Sequence, residues 1–227
     1  MVHARKRVRG ASVKNESTIV TFMKRILTSL LGAAAVGLFG VSTVNAQDAK
    51  PDADGFIRDW LMLAPIPLAQ EGAGAEYIVA DQVANESALK PKAGDTAKVK
   101  DKELTWKKVQ SKDYFFDFNE TLGSPQENVA GYLVAYAVCE EELTGVTALI
   151  GNNDQARLYL NGKEIFKYTE GSTLEKDMSK VENLTLKEGA NTIVFKDINE
   201  GNNWQACLRF KDKDGKPLTG YTVKLTP

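Results

Sequence analysis

The second half of the chain alternates between apolar strand-like runs and short turns, and this pattern restricts the fold more than any other feature. Residues 132–139 and 144–151 are nearly continuous apolar runs, which is typical of central strands covered on both faces. Residues 156–160 alternate between apolar and polar side chains and meet Asn161-Gly162. Asn-Gly at this place predicts a β-hairpin, because both central residues of a type I′ turn need positive φ.

Further runs of the same kind continue along the chain and define the fold class. About nine short strands at a spacing of roughly ten residues predict an all-β antiparallel sandwich or jelly roll. A short helix is predicted around residues 78–89, where Ala is frequent. The other predicted strands cover residues 56–64, 106–119, 163–166, 182–186, 192–196, 204–210 and 221–225.

Residues 23–46 have the pattern of a secretory signal peptide. A short positive stretch at 23–25 is followed by an uncharged, mostly apolar run at 26–41, and Val44 and Ala46 supply the small residues of a cleavage site. The apolar run is shorter than the roughly 20 residues that cross a bilayer, so we expect cleavage directly after Ala46 rather than a membrane anchor.

This signal divides the chain into four parts. We expect residues 1–22 to be an extension upstream of the true start, residues 47–55 to be a flexible polar linker, and residues 56–227 to be the β-sandwich domain. The mature protein is then exported to the periplasm or beyond the cell, and it carries no membrane span.

The charge of the mature chain argues against nucleic acid as a partner. The whole chain has 29 basic and 30 acidic residues, and residues 1–46 hold seven of the basic residues and one of the acids. Residues 47–227 therefore carry 22 basic and 29 acidic residues, a net charge of about −7. Such a chain repels a polyanion at long range, and its basic residues form no cluster that could act as a local binding patch.

Histidine is missing from the mature chain, since the one histidine is His3. Catalysis by Ser-His-Asp or Cys-His groups, a histidine general base and histidine-ligated zinc are thereby excluded for residues 47–227. Two cysteines, Cys139 and Cys207, lie in separate predicted strands. An oxidising compartment permits a disulfide between them, and two buried free thiols are the alternative.

Three stretches together resemble the galactose-binding-domain-like β-sandwich of secreted bacterial proteins. They are residues 60–67, residues 151–163, which end in Leu-Asn-Gly-Lys, and residues 186–196, which contain a Leu-x-x-Gly-x-Asn turn. Trp204 and Arg209 occupy the last strand as in that family. The resemblance covers about residues 56–227. It implies a carbohydrate-binding module, but none of the family's ligand residues can be placed on particular positions here.

The loop before the predicted strand at 204–210 is the first candidate for a sugar site. Sugar binding uses an aromatic platform together with planar polar groups, and Glu200, Asn202, Asn203 and Trp204 offer both. The alternative is that Trp204 closes the core and the asparagines only shape a turn. Tyr159, on the face opposite its strand neighbours, is a second aromatic candidate.

A structural calcium ion is a further candidate, although no other cofactor is expected. Asp197, Asn199 and Glu200 are the candidate oxygen ligands, because calcium takes its ligands from carboxylate and amide oxygens in loops.

The sequence favours a secreted, non-catalytic carbohydrate-binding module with a glycan as its partner. The alternative is a structural or protein-interaction sandwich of the bacterial envelope, with a protein partner and no sugar site. A carboxylate-based glycosidase or lyase is the least favoured function. Glu175 and Asp177 begin the Glu-x-Asp-x-x-Glu pattern of jelly-roll glucanases, but Lys180 stands where the second Glu belongs.

Overall fold

The computed structural model of the chain describes residues 49–227, so the predicted extension and signal peptide lie outside the described residues. Within that range, no helix has the length and apolar character needed to cross a bilayer. In chain order the elements are β1 (Asp59–Pro67), α1 (Gly74–Val79), a 3-10 helix (Glu86–Ala88), β2 (Thr96–Val99), β3 (Lys102–Thr105), β4 (Lys107–Gln110), β5 (Phe116–Asp117), α2 (Phe118–Leu122), β6 (Val129–Cys139), β7 (Leu143–Asn152), β8 (Ala156–Leu160), β9 (Lys163–Tyr168), β10 (Ser179–Leu186), β11 (Gly189–Asn199), β12 (Gln205–Lys211) and β13 (Tyr221–Lys224).

Two antiparallel sheets form a sandwich, which confirms the predicted all-β fold class. The larger sheet has seven strands in the order β4-β1-β6-β11-β8-β9, and β13 also pairs with β6. The smaller sheet has four strands in the order β10-β7-β12-β5, and β2 and β3 form a separate hairpin. Strands β2 and β3 were not predicted, and the single strand predicted at residues 106–119 is instead divided between β4, β5 and the start of α2.

The central strand β6 is buried on both faces, as its continuous apolar run predicts. Leu133 and Ala135 point into the core between the two sheets, together with Phe195 of β11. Their neighbours Tyr132 and Val134 point the other way, into a second apolar cluster. Successive side chains of a strand face opposite sides, so both sides of the larger sheet must be covered.

The second cluster exists because the segment of residues 68–106 folds over the outer face of the larger sheet. Ile78 of α1, Val99 of β2 and Trp106 pack there against Val134 and Val194. Each such side chain removed from water contributes about 1.5–3 kcal/mol. The domain is therefore a sandwich with a third layer on one side.

Glu86 lies at the centre of that third layer and is fully buried. Its Oε1 accepts from the hydroxyl of Tyr159 at 2.7 Å and from Nη1 of Arg157 at 3.1 Å. Its Oε2 accepts from the hydroxyl of Tyr132 at 2.5 Å and from Nζ of Lys196 at 3.0 Å. We call these five residues the buried ionic cluster. Four side-chain donors satisfy the carboxylate, which is what permits a charge inside an apolar layer.

The Asn161-Gly162 turn has the predicted hairpin geometry. The φ angles of the two residues are 53° and 81°, and the turn joins the antiparallel strands β8 and β9. Asn161 also accepts at Oδ1 from the backbone N–H of Thr192 at 2.9 Å and donates from Nδ2 to Asn191 at 2.8 Å. Its side chain thus ties the hairpin to the neighbouring strand β11.

The helix predicted at residues 78–89 is wrong, because α1 ends at Val79 and only a 3-10 turn follows at Glu86–Ala88. The carbonyl oxygens of Tyr77, Ile78 and Ala80 accept hydrogen bonds from Nζ of Lys196. Since a side-chain cation takes these acceptors, no further helical turn is needed to satisfy them.

The disulfide that an oxidising compartment would permit between Cys139 and Cys207 is not formed. Both cysteines are free and buried, Cys139 at the end of β6 in the larger sheet and Cys207 on β12 in the smaller one. They act as small apolar residues, the alternative that the sequence left open. Burial raises the pKa of the Cys207 thiol to about 12, so the thiol stays protonated at neutral pH.

Candidate ligand-binding site

Three loops meet at one end of the sandwich because of the strand pairing. β7 pairs with β12 and β8 pairs with β11, so the β7–β8 and β11–β12 connections lie at the same end. The β9–β10 connection joins them there, since Tyr168 is paired with Ala156 and Ser179 with Ile150.

These loops enclose an open cleft of about 530 Å³, which we call the loop cleft. All of its lining residues are small or polar, and several carry planar amide or carboxylate groups. They are Asn153, Asp154, Gly171, Ser172, Thr173, Gly201, Asn202 and Asn203.

Asp154 connects the three loops. Its backbone, at a left-handed φ of 45°, donates from N–H to the carbonyl of Ser172 at 2.9 Å. Its Oδ2 accepts from the backbone N–H of Glu200 at 2.8 Å. Partial burial raises the pKa of Asp154, and the hydrogen bond from Glu200 opposes that rise. The Asp154 side chain therefore holds the loop cleft together as well as lining it.

Two of the predicted site residues, Asn202 and Asn203, lie in the loop cleft and are exposed. The carbonyl of Asn202 accepts from Nδ2 of Asn119 at 2.9 Å, which ties the β11–β12 loop to α2. Their role as ligand-binding residues stays a prediction, and the structure leaves both side chains accessible for it.

Trp204 cannot be the exposed aromatic platform that we predicted. Its side chain is 0% exposed and stacks on Phe118, with ring centroids 4.2 Å apart and planes 11° apart. A Cβ on Gly131 would come within 2.7 Å of the indole, so the strand beneath must carry glycine. Trp204 continues the inward-facing positions of β12, Ala206 and Leu208, and alternation directs it into the core.

The other two predicted contacts also face away from the loop cleft. Tyr159 is 4% exposed and donates its hydroxyl to Glu86, so the third layer covers the face of β8 that carries Tyr159. Glu200 accepts at Oε1 from the backbone N–H of Gly74 at 2.9 Å, which turns its carboxylate toward α1.

The predicted calcium ligands are divided between two faces of β11. Phe195 points into the sandwich core, and alternation places the buried side chains of Asp197 and Asn199 on that same side. Glu200, by contrast, faces Gly74 on the other side. The structure therefore does not bring the three predicted ligands together.

Asp197 and Asn199 instead carry buried side-chain oxygens that lack a hydrogen-bond donor, and so do Asn152 and Asn153. The Nδ2 atoms of Asn152, Asn153 and Asn199 each donate to a backbone carbonyl, which leaves their Oδ1 atoms as the free ends. These three oxygens and both carboxylate oxygens of Asp197 accept no hydrogen bond from a described residue.

The Asp197 carboxyl is unfavourably placed as an anion. Burial raises its pKa well above the usual value, and the nearby indole N–H of Trp204 opposes this only in part, since no hydrogen bond of normal geometry joins the two groups. Across residues 49–227, no three His, Cys, Asp or Glu side chains are grouped in a way that could hold a metal. A cation near Asp197 would thus depend on amide oxygens as well as this carboxylate.

The residues of the loop cleft that sequence reasoning missed are Asn153, Asp154, Ser172 and Thr173. The run of Asn and Asp after β7 indicates a turn, which is correct. Its participation in a site depends on which other loops share that end of the sandwich, and strand pairing decides this.

Comparisons with known proteins assign no family to the chain. No family model and no curated protein sequence matches it. The PA14 domain of the antifreeze protein MpAFP has a similar structure, with a TM-score of 0.40 and 12% identity over 80% of this chain and 97% of that one. A PA14 sugar-binding domain from an RTX adhesin has a TM-score of 0.40 and 12% identity over 74% of this chain and 96% of that one. Similarity at this level does not determine a ligand for this chain.

Proposed function

We propose that this chain is an exported, non-catalytic glycan-binding domain and that the loop cleft is its binding site. The observation that carries the proposal is the lining of the loop cleft. Asn202 and Asn203 place planar amides beside the hydroxyls of Ser172 and Thr173. Amides that donate and accept side by side suit neighbouring hydroxyls of a sugar ring.

The lining also indicates how such a ligand is held. None of the lining residues is aromatic, so recognition rests on hydrogen bonds rather than on stacking against a ring. Asp154 is the one carboxylate among them, whereas glycoside hydrolysis uses a pair of carboxylates. A single carboxylate favours binding without turnover.

Asn202, one of the two exposed asparagines of the loop cleft, provides the direct test. Asn202→Ala is expected to weaken glycan binding about fivefold to tenfold, because a lost hydrogen bond costs about 1 kcal/mol. The measurement is a glycan array with residues 47–227, followed by titration calorimetry with the best ligand.

Asn183→Ala is the matched control for that variant. Asn183 on β10 is also exposed and has a left-handed φ of 60°, close to the 67° of Asn202, so both variants carry the same backbone strain. Equal affinities of the two variants, or a wild-type protein that binds no glycan on the array, would count against the proposal. The second result would favour a protein partner in the envelope.

We further propose that a calcium ion, bound by buried side-chain oxygens, stabilises the loops of the loop cleft. Asp197, Asn152, Asn153 and Asn199 carry buried oxygens that accept no hydrogen bond from a described residue, and carboxylate and amide oxygens are the ligands that calcium prefers. The fixed orientation of the three amides supports this, because their oxygens remain as free acceptors.

Calcium is expected to raise the melting temperature of the wild-type protein by about 5–10 °C at saturating concentration, and Asp197→Asn should remove this effect. In EDTA, where no calcium is bound, the substitution Asp197→Asn is expected to raise the stability rather than lower it. Folding raises the pKa of the Asp197 carboxyl, so the folded protein holds this proton more tightly than the unfolded chain does. The free energy of unfolding therefore falls as pH rises from the unfolded pKa of about 4 through the folded pKa. Asp197→Asn should therefore be the more stable protein at pH 7 in EDTA. Identical melting in calcium and EDTA would contradict the calcium proposal and leave glycan binding to its own test.

A further inference from the structure

The short helix α1 lies across β8 and β11, the two strands whose ends carry loops of the loop cleft. Its first turn contacts both of these loops. The backbone N–H of Gly74 donates to Oε1 of Glu200 at 2.9 Å. Glu200 directly precedes Gly201 in the lining of the loop cleft.

Gly74 also packs against the other loop. A Cβ at this position would lie 2.0 Å from Oε1 of Gln155 and 2.8 Å from Oε1 of Glu200. Gln155 directly follows Asp154 of the loop cleft, and its backbone carbonyl accepts from the N–H of Ile198 at 2.9 Å. A residue larger than glycine would have to displace the ends of the Gln155 and Glu200 side chains.

The last turn of α1 is bonded to the same two strands. Lys196 of β11 donates from Nζ to the carbonyl of Tyr77 at 2.8 Å and to that of Ala80 at 2.6 Å. Arg157 of β8 donates from Nη1 to the carbonyl of Val79 at 2.9 Å. The last turn of α1 is thus bonded to both strands by the buried ionic cluster, whereas its first turn is bonded to Glu200 and packs against Gln155.

We infer that α1 is a positioning element that sets the separation of the two loops, and that Glu200 is its positioning residue. The side chain of Glu200 reaches α1 while its backbone N–H reaches Asp154 at 2.8 Å. One residue therefore joins the helix to the β7–β8 and β11–β12 loops. That this affects ligand affinity rests on the proposed function, whereas the effect on the loops themselves does not.

Amide hydrogen exchange without any ligand tests the inference. Glu200→Ala removes the acceptor for Gly74, and amide exchange in residues 153–155 and 200–203 is expected to become about tenfold faster. Glu200→Gln keeps a side-chain oxygen as acceptor and should retain exchange close to that of the wild type. Amides of β13, which lie elsewhere in the larger sheet, serve as the internal reference.

Unchanged exchange of both loops in Glu200→Ala would overturn the inference, and so would equal acceleration in Glu200→Gln. Gly74→Ala provides an independent variant, because its added methyl group must displace Gln155 and should accelerate exchange in the same two loops. If the wild-type protein bound no glycan, the proposed function would fail while these exchange rates would still decide the role of α1. If a glycan binds, Glu200→Ala should lower the affinity for it about tenfold, whereas Glu200→Gln should bind with an affinity close to that of the wild type.

Discussion

Replacing Lys196 with methionine is expected to lower the free energy of unfolding by about 3–5 kcal/mol. Lys196 and Glu86 are both fully buried, with Nζ and Oε2 3.0 Å apart. The substitution leaves a carboxylate inside an apolar layer with its closest cation gone, and it removes the donor for the carbonyls that end α1. Urea unfolding followed by tryptophan fluorescence measures the loss.

Lys213→Met is the control, because Lys213 has a side chain that is 76% exposed and is paired only with its neighbour Asp214. Its effect should stay within about 0.5 kcal/mol. The double variant Glu86→Gln with Lys196→Met should cost less than the two single losses added together, since the charges are removed as a pair. A loss below about 1 kcal/mol for Lys196→Met would show that the buried ionic cluster does not anchor the third layer.

Trp204→Ala is the second large effect, with an expected loss of about 3–5 kcal/mol. The indole is fully buried and stacked on Phe118, so its removal leaves a cavity at the end of the sandwich core. Trp204→Phe keeps an aromatic ring over Phe118 and should cost clearly less. Thermal and urea unfolding of both variants provide the comparison.

The same variant separates the core role of Trp204 from the surface role that the sequence suggested. A fully stable Trp204→Ala protein that loses glycan binding would contradict burial and restore the aromatic platform. A destabilised protein carries no information about ligand contacts, so affinity is better tested at Asn202, whose side chain is exposed.

The strands that are easiest to predict are those whose pattern is local. β6 is a continuous apolar run, and the Asn161-Gly162 hairpin follows from two residues that tolerate positive φ. These signals depend only on neighbouring residues, which is why the sandwich is predictable. The helix at residues 78–89 failed because Lys196, far along the chain, takes the carbonyls that would have continued it.

Tyr159 shows the same contrast between what local pattern predicts and what distant contacts decide. Alternation correctly places its side chain on the face opposite Leu158 and Leu160. Whether that face meets solvent or protein depends on the segment of residues 68–106, which covers it and brings Glu86 to the tyrosine hydroxyl. The same limit applies to the loop cleft, since Asp154 and Asn202 are adjacent only through the pairing of their strands.

The sequence by itself determined the fold class, the main strands, their turns and the absence of histidine chemistry from residues 47–227, because each of these depends on residue type and short-range period. Only the tertiary structure decided that Trp204 is core, that the cysteines stay apart, and that three loops share one cleft. Those outcomes depend on contacts between residues distant in the chain, and the free energy of such contacts comes from packing and charge pairing that no local pattern records.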